Sequence, residues 1–253
     1  VVGRFSGSET LAAVGSTTAL INIFTNLFIG ISLGANVLSA RFYAAGRKKE
    51  MSETVHTAIL FALVSGIAMA VVGVVFSKWA LNLMGTPDDV IGQSALYMRI
   101  YFMGMPFFML YNYGAAILRA IGDTKRPLIF LIISGIANAA LNMILVILFH
   151  MGVAGVAIGT IISQLISCVL VLTCLYRSEG SYQLRFSKLK INGAYMEQIF
   201  QVGVPAGIQS TVINLSNALL QSSVNSFGSI AMAGYTAANN ILGFLYMSVN
   251  SIT

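Results

Sequence analysis

Residues 112–142 read NYGAAILRAIGDTKRPLIFLIISGIANAALN. One apolar run ends at Arg119, a short charged elbow follows, and a second apolar run starts at Pro127, so the stretch reads as two membrane helices joined by a tight turn. Gly122 suits the left-handed conformation that stops a helix, and Asp123 or Thr124 suits the cap of the next. Pro127 suits a first helical turn, where its missing N–H costs nothing. Arg119, Lys125 and Arg126 crowd this turn and predict that it faces the cytoplasm.

The whole chain has the same character. Of its 253 residues 57% are hydrophobic and only 9% charged, with a mean hydropathy of +0.84, whereas a soluble domain carries about a quarter charged residues. The fold class is all-α integral membrane, a polytopic helical bundle. A net charge of +6 and a pI near 9.4 would suit nucleic acid. The basic residues, however, sit in short turns between apolar runs, where they follow membrane topology, so the expected partners include membrane lipids and exclude nucleic acid. Cys168 and Cys174 are packing residues, since a separation of about 9 Å along one helix lies outside disulfide reach. No cluster of His, Cys or acidic residues has spacing suited to a metal or a nucleophile, so no enzyme, cofactor or metal is expected.

Seven uncharged or nearly uncharged runs are long enough to span: 11–40, 55–76, 87–118, 127–149, 152–176, 195–227 and 231–253. Alternate turns share a side. One set holds Arg41, Arg47, Lys48, Lys49, Arg119, Lys125, Arg126, Arg177, Arg185, Lys188 and Lys190; the other holds Arg4 and Lys78. The bias puts the first set in the cytoplasm and Val1 outside. With no cleavable signal and no flanking charge after 246–253, the chain is expected to continue beyond both ends, with one span before Val1.

Polar residues fall in stripes. In the first span Thr18, Asn22, Thr25, Asn26, Ser32 and Asn36 share an arc of roughly 120°, with Gly30 and Gly34 near the opposite side as a close-packing motif. Ser210, Asn214, Asn217, Gln221 and Asn225 share roughly 80° of the sixth span, and Tyr235, Thr236, Asn239, Gly243, Tyr246, Asn250 and Thr253 roughly 100° of the seventh. One stripe is explained equally well by hydrogen bonds between helices; three continuous stripes predict a water-accessible cleft. Asn22, Asn26, Asn36, Asn214, Asn217, Gln221, Tyr235, Asn239 and Tyr246 are its expected lining. Asn138 and Asn142 share one face of the fourth span, and Thr160, Gln164 and Ser167 one face of the fifth. Arg99 is the one charge inside a span and reads as structural, snorkelling or pairing, while Pro106 and Pro205 predict kinks. His56 and His150 read as solvated groups at the two interfaces. Tyr111, Tyr113, Tyr235 and Tyr246 could stack on cations, and Met103, Met105, Met109 and Met247 would lend a binding surface adaptability.

The stretch 11–24 lies over 231–244 with Ala13/Ala233, Ile21/Ile241 and Phe24/Phe244 in common, which suggests two similar, parallel halves. The polar, basic connection 177–194, expected to lie along the inner membrane surface, separates them.

VGRFSGSETLAAVG at 2–15, YMRIYFMGMPF at 97–107, ILRAIGDTKRP at 117–127, GVAGVAIGTIISQ at 152–164 and VGVPAG at 202–207 resemble the multidrug and toxic compound extrusion (MATE) transporters, closest to their bacterial DNA-damage-inducible F-like branch. The resemblance implies helices 2 to 8 of twelve: a first lobe lacking its first helix at 1–176, an inter-lobe connection at 177–194, and the start of a second lobe at 195–253. It implies a monomeric, inner-membrane antiporter that exports amphipathic or cationic compounds by alternating access, driven by H+ or Na+. It also implies a first-lobe pocket for cation or substrate at Asn112, Asn138, Asn142 and Thr160. Position 142 departs from the family, being an amide where an aspartate is expected. Alternatives are a lipid or lipid-linked oligosaccharide flippase of the same superfamily, or a non-transporting membrane scaffold.

Overall fold

The structure, a computed structural model, describes the backbone of residues 7–83, 88–225 and Leu242, with side chains described from Thr17 onward except at 18–20, Ile23, 84–90, 214–215 and 217–225. It divides into two compact units, Val1–Ile208 and Gln209–Thr253. The connection at 177–194 lies inside the first unit. Of the second unit, the described residues are the end of one long helix and Leu242.

Every regular element among the described residues is helical: α1 (Gly7–Ala44), α2 (Lys48–Leu83), α3 (Asp88–Met103), α4 (Met105–Ala120), α5 (Lys125–Met143), α6 (Gly152–Arg177) and α7 (Gly193–Asn225). A π turn, Ile144–Leu148, extends α5, and a 3-10 turn, Phe186–Lys188, interrupts the connection to α7. Among the described residues four helices are long and apolar enough to cross a membrane: Phe24–Ala44 of α1, α2, α5 with its π turn, and α6. The span expected at 87–118 is instead two helices of 16 residues each, α3 and α4. They break at Gly104, because Pro106 in the first turn of α4 has no N–H to give the preceding turn. The span expected at 231–253 lies outside the described residues.

The elbow forms as its residues predict. Gly122 takes φ +86, its N–H donates to Arg119 O at 3.0 Å, and Asp123 N–H reaches back to Leu118 O at 3.0 Å. This is the Schellman arrangement, which satisfies the last carbonyls of α4. Asp123 then caps α5: its Oδ1 accepts the Arg126 N–H at 3.1 Å, and Oδ2 lies 3.3 Å from the Arg126 guanidinium. Tyr111 donates its hydroxyl to Pro127 O at 3.0 Å and ties the two helices together beside the turn.

Helix α4 is the hub, packing against α1, α2 and α6, while α2 pairs with α3 and α5 with α6. Its Met105, Met109, Tyr113, Ile117 and Leu118 are all essentially inaccessible. Tyr113, Met105 and Met109, expected at a binding surface, are therefore core residues. The Tyr113 ring sits edge-on to Phe61 at 5.9 Å, and Phe61 in turn meets Phe200 of α7 at 5.2 Å. Conversely, α5 exposes Leu128, Ile129, Ile132, Ile133 and Ile136, as a helix bordering lipid does.

Gly30 and Gly34 of α1 meet the backbone of α7: a Cβ at Gly30 would collide with Gly207, and one at Gly34 with the Ile199 carbonyl. The approach is reciprocal. A Cβ at Gly203 would lie 2.6 Å from Ile31 Cα, and one at Gly207 2.6 Å from the Leu27 carbonyl oxygen.

His56 departs most from its expected place. It is 2% exposed rather than solvated, with Nδ1 2.6 Å from Ser52 O and Nε2 accepting the Arg185 N–H at 3.0 Å. An Nε2 that accepts leaves the proton on Nδ1, which donates to Ser52 O. His56 thus staples the connection to α2. Thr57 adds a second staple, donating to Lys190 O at 3.3 Å and accepting Asn192 N–H at 3.1 Å. Asn192 donates to Glu53 Oε2 at 2.9 Å, and its Oδ1 accepts Ala194 N–H at 3.1 Å, which caps α7.

Candidate polar pocket among α4, α5 and α6

A cavity of about 510 Å³ opens among the hub helix and the α5–α6 pair. Helix α4 contributes Phe108, Tyr111, Asn112 and Arg119; α5 contributes Leu131, Ser134, Gly135 and Asn138; α6 contributes Thr160, Ser163, Gln164 and Ser167; and Ile29 of α1 closes one side. The spacing of these residues explains why they converge. On α5 residues 131, 134, 135 and 138 recur at three or four positions, as do 160, 163, 164 and 167 on α6, so each set forms one face.

The hydrogen bonds across the pair run in a definite order. Thr160 donates its hydroxyl to Val156 O at 2.9 Å and Ser163 donates to Thr160 O at 2.7 Å. Both oxygens are thereby left as acceptors toward α5. Asn138 Nδ2 donates to them, at 3.4 Å to Thr160 Oγ1 and 3.3 Å to Ser163 Oγ. Asn138 Oδ1 is then free to accept Asn142 Nδ2 at 3.0 Å, so the two amides one turn apart act as one unit. The chain of donors ends there: Asn142 Oδ1 is buried without a donor, and so is Gln164 Oε1 on the pocket wall. Glycines make room for both. A Cβ at Gly159 would stand 2.5 Å from Asn142 Oδ1, and one at Gly104 2.6 Å from Gln164 Oε1. Buried carbonyl oxygens with no donor are uncommon, since leaving one unmatched costs about 1–3 kcal/mol. Each therefore presents an acceptor suited to a hard cation or to an N–H or O–H donor.

Asn112, Asn138 and Thr160 thus lie on one cavity, and Asn142 adjoins it through Asn138. Asn112 donates to Phe108 O of its own helix at 2.8 Å, which leaves its Oδ1 as the further acceptor on that wall. Ser163 and Ser134 escaped the sequence reading, although each follows the three- and four-residue spacing of its named neighbours. Arg119 supplies the only charge on the described lining, and no acid lies there.

The polar stripe of α1 is divided. Asn22 is exposed and Asn26 half-buried. Thr25 and Ser32 turn back onto Ile21 O and Ile29 O of their own helix, at 2.8 and 2.7 Å. Asn36 donates across to Ala116 O of α4 at 2.7 Å, a bond between helices. The side chains of Asn214, Asn217 and Gln221, and residues Tyr235, Asn239 and Tyr246, lie outside what is described. Arg99 stands apart from the pocket, exposed, with Nε donating to Ser77 Oγ on α2 at 3.1 Å.

The chain is 34% identical over 260 residues to the probable multidrug resistance protein YoeA of Bacillus subtilis, covering 99% of this chain and 56% of that protein. It is 21% identical to the multidrug export protein MepA of Staphylococcus saprophyticus, over 96% of this chain and 54% of the relative. The chain therefore spans about half the length of the curated relatives it matches. A crystal structure of MATE in the bent conformation superposes with a TM-score of 0.87 at 21% identity, over 95% of this chain and 54% of the other, which is agreement of fold. The MatE family matches residues 1–144, from α1 through the α5 face that carries Asn138 and Asn142, and the chain belongs to that family.

Proposed function

We propose that the full-length protein is a secondary active efflux transporter of a bacterial cell membrane, exporting small amphipathic or cationic compounds by alternating access driven by a H+ or Na+ gradient. The observation that carries this reading is the half-buried Asn142–Asn138–Thr160/Ser163 chain, which ends in the donor-free Asn142 Oδ1, next to a cavity whose wall carries the donor-free Gln164 Oε1. Polar side chains inside a bilayer are expensive and mark ion or substrate paths. The names of the relatives, multidrug resistance and export proteins, support the same reading. In this proposal residues 1–176 belong to the first lobe, 177–194 connect the lobes, and 195–253 begin the second. The glycine crossing of α1 and α7 would then join the two lobes.

The described pocket favours Na+ over H+ as the ion held by this chain's own residues. Asn138, Asn142, Thr160 and Gln164 offer neutral oxygens, and none of them titrates. Reconstituting the full-length protein in vesicles tests both levels of the proposal. With an ethidium-like fluorescent cation on one side, an inward Na+ gradient is expected to drive its movement and a matched H+ gradient to drive less. Movement of no tested cation under either gradient overturns the export reading; movement under H+ alone overturns the ion assignment.

A further inference from the structure

A second cavity among the described residues plays no part in the proposed export path. It has a volume of about 840 Å³ and lies where the start of α2 meets the connection to α7, lined by Lys48, Lys49, Lys188 and Lys190 with Glu53 and Ile191. The lysines come in two pairs 140 residues apart in sequence, brought together by the His56, Thr57 and Glu53 bonds that pin the connection onto α2.

Four ammonium groups around one cavity repel one another unless something negative sits among them. Nothing described does so adequately. The ion pairs among the described residues are Arg47 with Glu50 and Arg126 with Asp123, so none of the four lysines is in direct contact with a carboxylate, and Glu50, the acid whose charge Lys49 feels, is already held by Arg47. Glu53, the one carboxylate on the lining, already accepts from Asn192, and His56 has both nitrogens engaged. The first turn of α2 adds the positive end of its helix dipole to the same space.

The cavity's surroundings point to the form of the missing anion. Lys48 precedes the apolar run beginning at Val55 by about 10 Å of helix, which is headgroup depth on the side where the basic turns gather. The connection exposes Ile191 on the cavity wall and Phe186 three residues ahead of Leu189, with Phe186 stacked on Tyr176 at 5.9 Å. Lysines beside exposed apolar side chains suit a molecule with a phosphate and an acyl chain, whereas free phosphate needs no apolar contact.

We propose that this cavity binds the phosphate-bearing headgroup of an anionic phospholipid, which fastens the connection to α2 by neutralising Lys48, Lys49, Lys188 and Lys190. The assignment does not depend on transport, and its test uses none. The purified full-length protein in neutral detergent is titrated with dioleoyl phosphatidylglycerol or dioleoyl phosphatidylcholine, and bound lipid is counted by native mass spectrometry. Three proteins are compared: wild type, the K48Q/K49Q/K188Q/K190Q variant, and R41Q/K78Q/K125Q/R177Q, which loses the same charge elsewhere. Phosphatidylglycerol is expected to bind wild type and the charge-matched control alike, and the lysine variant about tenfold more weakly, with phosphatidylcholine unchanged throughout. If the fourfold variant does not fold, K188Q/K190Q, confined to the connection outside the α-helices, is expected to lose about threefold. Equal loss in the lysine variant and the control, or no loss in either, overturns the site. Inorganic phosphate is the second probe: if millimolar phosphate raises the thermal midpoint of wild type but not of the lysine variant, while phosphatidylglycerol shows no preference, the lipid assignment is overturned in favour of the free anion.

Discussion

Where α1 crosses α7, four glycines let two backbones touch; where α5 lies along α6, two asparagines and two hydroxyls bond across the contact. Both solve the same difficulty, because lipid tails are as apolar as leucine and give helices no hydrophobic reason to associate. The solutions differ in what they tolerate. Backbone contact admits no added atom. The amide chain can absorb small changes of position, but each member it loses strands another polar group in the membrane. The first contact suits a joint that opens and closes, and the second a wall that must keep its geometry while something binds.

The largest effect should therefore come from adding bulk to the glycine crossing. Gly207→Val places two methyl groups against the Leu27 carbonyl, where even a Cβ is too close. The expected loss is ~3 kcal/mol or more, read as a fall in the thermal midpoint of the detergent-solubilised full-length protein. An unchanged midpoint would mean that the two helices part without cost, which breaks the comparison at its first term. Gly159→Ala ranks next. Its methyl would push Asn142 Oδ1 away from α6 and cost ~1–3 kcal/mol, and Na+-driven flux should fall with it because the Asn142–Asn138 unit moves.

Asn138→Ala probes the amide chain at its centre. It removes the donor to Thr160 and Ser163 and the acceptor for Asn142 at one stroke. Hydrogen bonds between membrane helices average ~0.6 kcal/mol and reach ~1.7, so ~1–2 kcal/mol is expected for the group. Flux should nevertheless fall at least tenfold in the vesicle assay, since the substitution also removes an oxygen from the pocket. Loss of stability without loss of flux would make the α5–α6 network a mere fastener, no different in kind from the glycine crossing.

How far these contacts could be read in advance depends on where the partner sits. The elbow was legible because its glycine, cap and proline act within a few residues of one another, and the Schellman bonds to Leu118 and Arg119 follow from local chemistry alone. The faces of α5 and α6 were legible for the same reason: helical spacing fixes direction. What spacing leaves open is the neighbour a face meets. Gly30 and Gly34 announce a close approach, but not that Gly203 and Gly207 supply the other side. His56 looked like an interfacial histidine because its partner, Arg185 N–H, is 129 residues away. Tyr113 is the same residue type as Tyr111 yet faces Phe61 rather than the pocket, two helical positions, about 200°, having turned it from the wall to the core.

Asn36 is the smallest and sharpest test, because it belongs to the stripe from which a cleft was expected and yet makes the kind of bond that merely joins helices. Its Nδ2 reaches Ala116 O at 2.7 Å. That carbonyl lies four residues before Ala120 in the same helix, so helical geometry leaves it a backbone partner when the side chain is removed. Asn36→Ala should therefore cost ~0.6 kcal/mol, a shift of about 1–2 °C in the thermal midpoint, and leave flux unchanged. Asn26→Ala, at a half-buried position, serves as the companion measurement from the same stripe. If Asn36→Ala instead abolished flux at an unchanged midpoint, the α1 stripe would be part of the path, and the division between joint and wall would have to be redrawn through α1 itself.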